Sequence, residues 1–575
     1  MNKKVIYIAC MALAASVTLQ AQKKAAAKDS TLNRQMVLER EFKPVFKDAS
    51  RIDQLPQVTE AKATKSPVQY QFNALDLAYP TQWKTIQPEK KMGRPDFSEQ
   101  KGYLNLGAGA QTNTYGNGGI LLVNDAANKL SLTFDHRLIN DTRKIKQTGD
   151  ENTVFSTDNA LQGNYGHEFE KSALEISGGY KHSAFNYFGQ PSLVRYTLLH
   201  VPIYNDHQIH NRLFLQGEMH SLEDSVLEYK AMVKYGFLGK KLSAIDSLSG
   251  NREHHILIEG EISGRFMENS RIGLDFGLNN FVYQTDKALE VEEIYKPENY
   301  GLFEFTPHID FEGEKYNVRL GLKSEFEFAK KNVIHLAPSI SGKWEFADRF
   351  FLIGEFGGGS KIYSFEQTDA EYRYLNPAMR LKDTFTPLDA TISFRTNAVP
   401  GFGFELLTGY KSGEDYFMTS EQTGNRINVL TPHQTVIKQT KIGLLAEYKY
   451  DKIADLTFKL MKYSYKADPE ETITAKTKAW GKPDLELSLD GDFHLTEKVS
   501  AQMNYYLASG RYALVNDETV SMKPISSLNI GSRYAFNKKV SAFAQLNNLL
   551  FQKYDLWYGM PAQSFNFIAG IGLTF

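Results

Sequence analysis

Strict alternation of apolar and polar side chains organises most of this chain. At the carboxyl end one parity carries Phe565, Phe567, Ala569, Ile571, Leu573 and Phe575. The other parity is small or polar, with Ile568 as the exception. Such period-2 alternation predicts a β-strand that faces an apolar environment on one side and a polar one on the other. A terminal strand of this kind is typical of a membrane β-barrel, in which the last strand closes the cylinder and faces lipid.

We interpret the aromatic and aliphatic residues of this strand as a carboxyl-terminal insertion signal: Phe565, Phe567, Ile571, Leu573 and Phe575. The same alternation recurs upstream. Residues 256–266 place apolar residues or glycine at even positions, and residues 485–495 place them at odd positions. Charged residues at every second position are too many for a buried sandwich layer, but they suit a polar lumen. Strands marked in this way number about 22 between residues 102 and 575.

The links between these predicted strands alternate in length. Counting back from the end, the long links are 552–563, 514–522, 467–482, 412–434 and 360–387, and the short turns between them are 537–539, 496–498, 451–453, 398–401 and 347–348. Only the link at 329–331 is short where a long one is due. This rhythm is typical of barrels inserted from the periplasm. A soluble β-solenoid would instead show a fixed sequence repeat, and the chain has none. We therefore predict an all-β fold, a transmembrane antiparallel β-barrel with a short extended amino-terminal periplasmic segment.

The amino terminus has the layout of a secretory signal peptide. Lys3 and Lys4 precede an apolar stretch, residues 5–17, and a small-residue site that ends at Ala21. We expect residues 1–21 to be removed. Cys10, the only cysteine, lies in this stretch, and a lipoprotein interpretation would leave too short an apolar core before it. The mature chain would then lack thiol chemistry.

Residues 22–100 differ from the rest and are expected to form the extended periplasmic or lumenal segment, followed by the barrel at 101–575. Up to residue 95 they contain one glycine, Gly93, and prolines at positions 44, 56, 67, 80, 88 and 95. Such a segment does not fold as a compact domain. It nevertheless keeps large side chains, and we predict that it docks in the lumen or on a partner protein. The predicted docking residues are Phe42, Pro44, Val45, Phe46, Tyr70, Phe72 and Trp83.

Composition removes several classes of function. A net charge of −1 gives no electrostatic basis for binding nucleic acid. We find no catalytic, cofactor-binding or metal-binding set; His254 and His255, for example, are adjacent on one strand and point to opposite faces. We therefore expect neither an enzyme nor a cofactor. The aromatic residues in or beside the long links at 360–387 and 412–434 either bind a sugar or partner protein, or else form the outer girdle or fold the loop on itself: Tyr363, Phe365, Tyr372, Tyr374, Tyr416 and Phe417.

The carboxyl-terminal motifs resemble the end of TonB-dependent receptor barrels. They are Asn548-Leu549-Leu550-Phe551 with Tyr554, then Tyr558-Gly559-Met560-Pro561, and the terminal Phe575. Asn376-Pro377 is also similar to a pair found in such receptors. The resemblance implies a 22-stranded barrel in the outer membrane of a Gram-negative bacterium. Receptors of that family carry a glycine-rich plug, whereas residues 22–100 are too short and too poor in glycine, and residues 41–56 resemble the leader of related plugless barrels.

Two functions are compatible with these expectations. The first is transport of a solute across the outer membrane by a barrel that lacks the plug. The alternative is a structural subunit of a cell-envelope complex that docks a periplasmic partner through residues 22–95. The expected partners are outer-membrane lipid, the β-barrel assembly machinery during insertion, and a periplasmic or surface protein. The two functions differ in whether the lumen is blocked permanently or can open, since an unblocked cylinder of this width would leak.

Overall fold

The barrel is described here from a computed structural model of the chain. The described residues are 101–125, 127–144, 149, 151–186, 207–222, 227–242, 249–286, 297–329, 332–375, 380–423, 426–468, 478–515 and 517–575. The predicted signal peptide and all docking residues from Phe42 to Trp83 lie outside them, as does Asn376-Pro377.

The described residues form a closed antiparallel barrel of 22 strands. In chain order the strands of the molecule are β1 (Gly102–Gly109), β2 (Thr114–Asn124), β3 (Asn128–Lys144), β4 (Glu151–Glu168), β5 (Ser172–Asn186), β6 (His207–Ser221), β7 (Leu227–Lys240), β8 (Arg252–Met267), β9 (Ser270–Gln284), β10 (Tyr300–Gly313), β11 (Tyr316–Phe328), β12 (Val333–Ala347), β13 (Phe350–Lys361), β14 (Thr384–Val399), β15 (Phe402–Thr423), β16 (Arg426–Tyr450), β17 (Ala454–Ala467), β18 (Leu485–His494), β19 (Val499–Ser509), β20 (Tyr512–Val515), β21 (Glu518–Ser521), β22 (Ile525–Ala535), β23 (Val540–Asn547), β24 (Asp555–Trp557), β25 (Met560–Pro561) and β26 (Asn566–Thr574). β20 with β21 and β24 with β25 are small hairpins in links; the other strands form the barrel.

Each barrel strand pairs with the next along the chain, and β26 pairs with β1 to close the cylinder, for example through Leu104 opposite Leu573. The predicted fold class and strand number are therefore confirmed. Two helices are present in the described part of the chain, a single 3₁₀ turn at Ala110–Thr112 and an α-helix, α1 (Phe365–Glu371). Among the described residues, no helix has the length and apolar character needed to cross a bilayer.

The links differ between the two ends of the barrel. At the turn end, tight turns such as 268–269, 314–315 and 348–349 join the strands. At the opposite end, called the mouth below, the links include 362–383, 468–484, 510–524 and 548–565. The predicted long link at 412–434 is wrong. Its residues instead extend β15 and β16, which pair with each other as far as Thr423 opposite Arg426, because the two segments satisfy each other's backbone hydrogen bonds beyond the neighbouring strands.

The outer face of the wall is apolar. Val233 at the centre of β7 is 54% exposed and Leu215 on β6 is 57% exposed. On β26, Phe567, Ile571 and Leu573 are exposed in the same way, as is the terminal Phe575 beyond it, while Asn566 is buried. Phe565 lies just before the strand and stacks on Phe551. The predicted parity is therefore present in the structure, and the insertion-signal role of these residues stays a prediction.

Exposed aromatic side chains form a belt around the outer face at the turn end. They are Phe169, Phe266, Tyr316, Trp344, Phe346, Tyr448, Tyr450, Tyr534, Phe536 and Phe575. Phe575 follows the end of β26, and each of the others lies within a few residues of a tight turn. Several contact one another, as Trp344 and Phe346 do with ring centroids 5.9 Å apart. Amphipathic rings collect where a membrane meets water. The belt therefore indicates the level of one membrane interface.

The inner face of the wall is charged and paired. Lys323 Nζ lies 2.6 Å from Glu304 and 3.0 Å from Glu325, and Lys230 lies 2.9 Å from Glu218. Such pairs reduce the cost of holding charges in a partly enclosed space. The polar lumen expected from the alternation is thus present.

One arginine joins the strands on both sides of the closure between β26 and β1. From β22, Arg533 Nη2 donates to Asn105 Oδ1 of β1 at 2.8 Å, and Nη1 donates to Ser541 Oγ of β23 at 2.5 Å. The guanidinium passes over Gly572 of β26, where a Cβ atom would lie 2.4 Å from Arg533 Nη1. Glycine is required here because only a residue without a side chain allows this close approach.

Candidate functional site

The link between β13 and β14, residues 362–383, is called the mouth loop, and its described residues, 362–375 and 380–383, fold across the mouth of the barrel. Its first half forms α1. Ser364 caps this short helix by accepting a hydrogen bond from the backbone N–H of Gln367 at 3.1 Å. A serine at this position satisfies one of the free N–H groups at a helix start. The helix presents Phe365, Thr368 and Asp369 to the barrel, whereas Gln367 is exposed.

The start of α1 is held by a carboxylate of the wall. Glu253, at the mouth end of β8, accepts hydrogen bonds from the backbone N–H of Phe365 at 2.5 Å and of Glu366 at 3.4 Å. The first N–H groups of a helix have no partner within the helix, and the Glu253 oxygens satisfy two of them. The ring of Phe365 is fully buried beside Leu238, Tyr283 and Leu302 of the wall. The helix is therefore fixed against strands β7 to β10.

Asp369 of α1 forms the centre of a buried ionic cluster. Its carboxylate lies 2.9 Å from His210 Nδ1, 3.0 Å from Lys240 Nζ and 3.5 Å from Arg212 Nη2. Burial alone would raise the pKa of Asp369, but the positive groups around it outweigh burial and hold the pKa well below its ordinary value. A carboxyl with a lowered pKa stabilises the docked loop above its unfolded pKa and loses that effect only as the pH falls through the lowered value. Asp369 therefore stays ionised in the docked loop at neutral and mildly acidic pH.

Two arginines extend these polar contacts along the mouth loop. Arg373 donates to Ser156 Oγ at 2.9 Å and to Asp158 at 3.2 Å, both on β4. Arg380 donates to Asp383 at 2.9 Å and to Tyr283 Oη at 3.1 Å on β9. The loop is thereby connected to the wall from β4 to β10 mainly through charged or hydrogen-bonding groups.

The other side of the mouth loop is held by apolar packing. Its buried side chains share one cluster with β4, β15, β16 and β25: Tyr363, Tyr372, Leu375 and Leu381 of the loop, with Val154, Tyr416, Met418, Leu430 and Met560. Leu375 also forms a bridge with Leu430, whose N–H donates to Tyr374 O at 2.9 Å. Of the two interpretations of the loop aromatics, the structure therefore favours folding of the loop on itself and on the wall.

Neighbouring links pack against the same region. Trp480 is fully buried, with its ring centroid 4.7 Å from that of Phe417. Arg511 is also fully buried and donates to the backbone carbonyls of Asp555 and Leu556. The ring of Trp557 lies 6.2 Å from that of Tyr372 in the mouth loop. The described links thus form one packed layer over the mouth.

Nearer the turn end, three inward side chains have the spacing of metal ligands. Glu261, Asp275 and His308 each offer one ligand atom, and these atoms lie within 4.8 Å of one another. Arg319 lies among them, 3.6 Å from Glu261 and 3.7 Å from Asp275, and it makes a two-point contact with Asp310 at 2.7 and 3.1 Å. Its guanidinium already supplies positive charge to this cluster.

The sequence and the structure identify different candidate residues. The predicted docking residues Phe42 to Trp83 lie outside the described residues, and the insertion-signal residues lie at or beyond the ends of β26 and along its outer face. Sequence reasoning flagged Tyr363, Phe365 and Tyr372 by their density in a long link. It missed Asp369 and its partners His210 and Lys240, because no sequence spacing connects residues so far apart; Lys240 and Asp369 are separated by 129 positions.

Comparison with known proteins identifies the fold. No protein-family model matches the chain, and no curated protein matches it. Solved structures do match. They include the FrpB iron transporter from Neisseria meningitidis (TM-score 0.62, 10% identity, 83% of this chain and 82% of that one), a variant of the ferric enterobactin receptor PfeA from Pseudomonas aeruginosa (0.60, 10%, 83% and 81%) and the copper transporter OprC (0.58, 13%, 84% and 81%). The chain thus has the barrel fold of TonB-dependent receptors, as its carboxyl-terminal motifs implied.

Proposed function

We propose that this barrel spans the outer membrane of a Gram-negative bacterium and passes a solute through its lumen, with the mouth loop as the gate. The apolar outer face and the aromatic belt support the membrane location. The charged inner face supports a hydrated path. The proteins of similar fold named above are receptors and transporters of iron compounds and copper. For this chain we propose passage of a solute without the plug of such receptors.

The observation that supports a gate is the unequal attachment of the mouth loop. Towards β4 to β10 it is held by ion pairs, hydrogen bonds and the ring of Phe365. Towards β15, β16 and β25 it is held by an apolar cluster that includes Tyr363, Tyr372 and Leu375. A loop attached in this way detaches from the wall more easily on one side than on the other.

The free-energy cost of separating each attachment decides which side of the mouth loop leaves the wall first. An ion pair exposed to water on opening regains hydration, so its net contribution to closure is small compared with its Coulomb attraction. Removing a buried aromatic or leucine side chain from its packing costs about 1.5–3 kcal/mol each. The apolar side contains several such residues and the wall side has mainly Phe365. We therefore infer that the loop swings on its β15–β16 side and opens on its β6–β8 side.

Conductance of the purified mature protein in a planar bilayer tests the gate. We expect low conductance for the wild type, because the mouth layer is packed. Replacing residues 364–382 by a short glycine-serine linker should give large, steady open currents. The double change Phe365→Ala and Asp369→Asn should increase the open time at least about tenfold, since about 1.4 kcal/mol corresponds to a factor of ten.

Gln367→Ala, an exposed change on the same helix, is the matched control and should leave the currents at the wild-type level. Each protein should also be measured without residues 22–95, because that segment is a second candidate obstruction. Unchanged conductance after removal of the mouth loop, both with and without residues 22–95, would show that the mouth loop is not a gate.

The alternative is a scaffold whose mouth is closed permanently and whose residues 22–95 dock a periplasmic protein. Its support is the set of large side chains in that segment, including Phe42, Tyr70 and Trp83. Under this alternative, deleting residues 22–95 releases a co-purifying protein without affecting insertion. Under the transport proposal, the same deletion releases no protein, and removal of the mouth loop still raises the conductance of the shortened chain.

The proposed orientation places the mouth outside the cell and the turn end in the periplasm. We expect a cysteine at Glu518, exposed on β21, to react with a membrane-impermeant maleimide on intact cells. A cysteine at Lys538, exposed in the turn between β22 and β23, should react only after the outer membrane is permeabilised. The mature chain has no native cysteine to confuse the readout if residues 1–21 are removed. The opposite labelling pattern would reverse the orientation.

A further inference from the structure

The basic side chains around Asp369 belong to the wall, whereas Asp369 belongs to the mouth loop. His210 and Lys240 face each other directly across the β6–β7 ladder, and Arg212 follows two residues along β6. The edge of the His210 ring packs against Phe185 of β5, with centroids 5.2 Å apart. Strand register therefore holds these three groups together independently of the position of the loop.

This basic group is built to receive an anion. His210 and Lys240 are almost completely buried, and the three side chains converge on one carboxylate of the loop. Lys240 and Arg212 carry positive charge beside Asp369, and a charge that loses its partner must be compensated by water or by another anion. When the mouth loop leaves, the wall site is therefore open to water and to a new anionic occupant.

The contacts made by Asp369 define the chemistry that fits. One carboxylate oxygen contacts Lys240, and the other contacts His210 and, at 3.5 Å, Arg212. Separate donors for two oxygens joined to one carbon suit a carboxylate. The second ring nitrogen of His210, Nε2, is buried and has no hydrogen-bond partner among the described residues. It offers a further contact for a ligand larger than an aspartate side chain.

We propose that His210, Arg212 and Lys240 form a carboxylate-binding site that Asp369 occupies when the mouth is closed, so that a carboxylate-bearing solute opens the gate by taking the place of Asp369. This inference rests on the proposed gate function and names the class of solute. The loop carboxylate acts as an internal substitute for the ligand. Binding of the solute and docking of the loop are therefore mutually exclusive at this site, and the solute stabilises the open mouth.

Acetate is the simplest probe, because it reproduces the carboxylate of Asp369. In Asp369→Ala protein the basic site loses its internal anion, and calorimetric titration at constant ionic strength should show acetate binding with a dissociation constant on the order of millimolar. Wild-type protein should bind acetate at least about tenfold more weakly, because Asp369 competes. Adding Lys240→Met or Arg212→Gln to Asp369→Ala should abolish or strongly weaken binding. Gln367→Ala should behave as wild type.

Retention of the heat-resistant folded band on a gel shows that each variant protein is still a barrel. The site is overturned if folded Asp369→Ala protein binds no acetate, or if it binds equally well with and without Lys240→Met and Arg212→Gln. The coupling to opening is tested separately, by adding citrate to the wild-type protein in the bilayer. Citrate should lengthen open times in wild type and have less effect in the Lys240→Met variant. Binding in the calorimeter with no currents from any variant would preserve the site and reject the gate.

Discussion

Val233→Arg will prevent the folded barrel from accumulating in the outer membrane, whereas Met232→Arg in the adjacent position will not. Val233 lies at the centre of β7 on the outer face, where an arginine would meet lipid near the midplane at a cost of about 2–4 kcal/mol. Met232 points into the lumen, directly between Glu218 of β6 and Glu259 of β8 in the strand register. An arginine there gains two carboxylate neighbours and remains in contact with water.

The measurement is the fraction of each protein that reaches the outer membrane and shows heat-modifiable migration on a gel. The two variants carry the same new side chain one residue apart, so expression and charge are matched. Similar recovery of both, or loss of the Met232 variant alone, would contradict the assignment of the two faces.

Gly572→Leu will disrupt the closure between β26 and β1. A Cβ atom at Gly572 would lie 2.4 Å from Arg533 Nη1 and 2.6 Å from both Asn105 Oδ1 and Ser541 Oγ. The guanidinium must then move away from partners that it reaches in the wild type. Overpacking typically costs about 1–3 kcal/mol, and a hydrogen bond to a charged group contributes about 1.5–3 kcal/mol. We expect a strong loss of heat-resistant barrel.

Gly217→Leu is the matched control, because a Cβ atom at Gly217 would have nothing within 4 Å. Combining Gly572→Leu with Arg533→Ala removes the atom that clashes most closely, and should recover part of the folded protein. A Gly572→Leu variant that unfolds at the wild-type temperature would refute this role of the glycine.

The barrel could be predicted from sequence because the alternation of apolar and polar side chains is a property of each strand by itself. Each membrane-facing strand must alternate, so residues such as Ile571 and Leu573 report their face without knowledge of their neighbours. The prediction at 412–434 was wrong because it relied on the same alternation, which is absent from that part of the chain. There β15 and β16 continue beyond the strands beside them, and residues such as Phe417 and Met418 are both buried, so the two-sided pattern is lost.

The candidate gate could be predicted only in part. The aromatic residues Tyr363, Phe365 and Tyr372 marked the link as unusual, but two interpretations remained open until their burial was known. The partners of Asp369 could not be predicted, because they depend on which strands of a closed cylinder face the loop. The proposed docking role of residues 22–95 stays a prediction from sequence.

The contacts of the mouth loop also indicate at which stage of folding the loop can dock. Its contacts reach back to Asp158 on β4 and Glu253 on β8, and forward to Leu430 on β16 and Met560 in the last long link. These partners come together only when the wall has curved far enough to bring both halves of the chain to one mouth. A chain halted before its final hairpin lacks Met560 and cannot complete the layer. The complete set of these contacts is therefore a mark of a finished barrel, acquired in the last stage of folding.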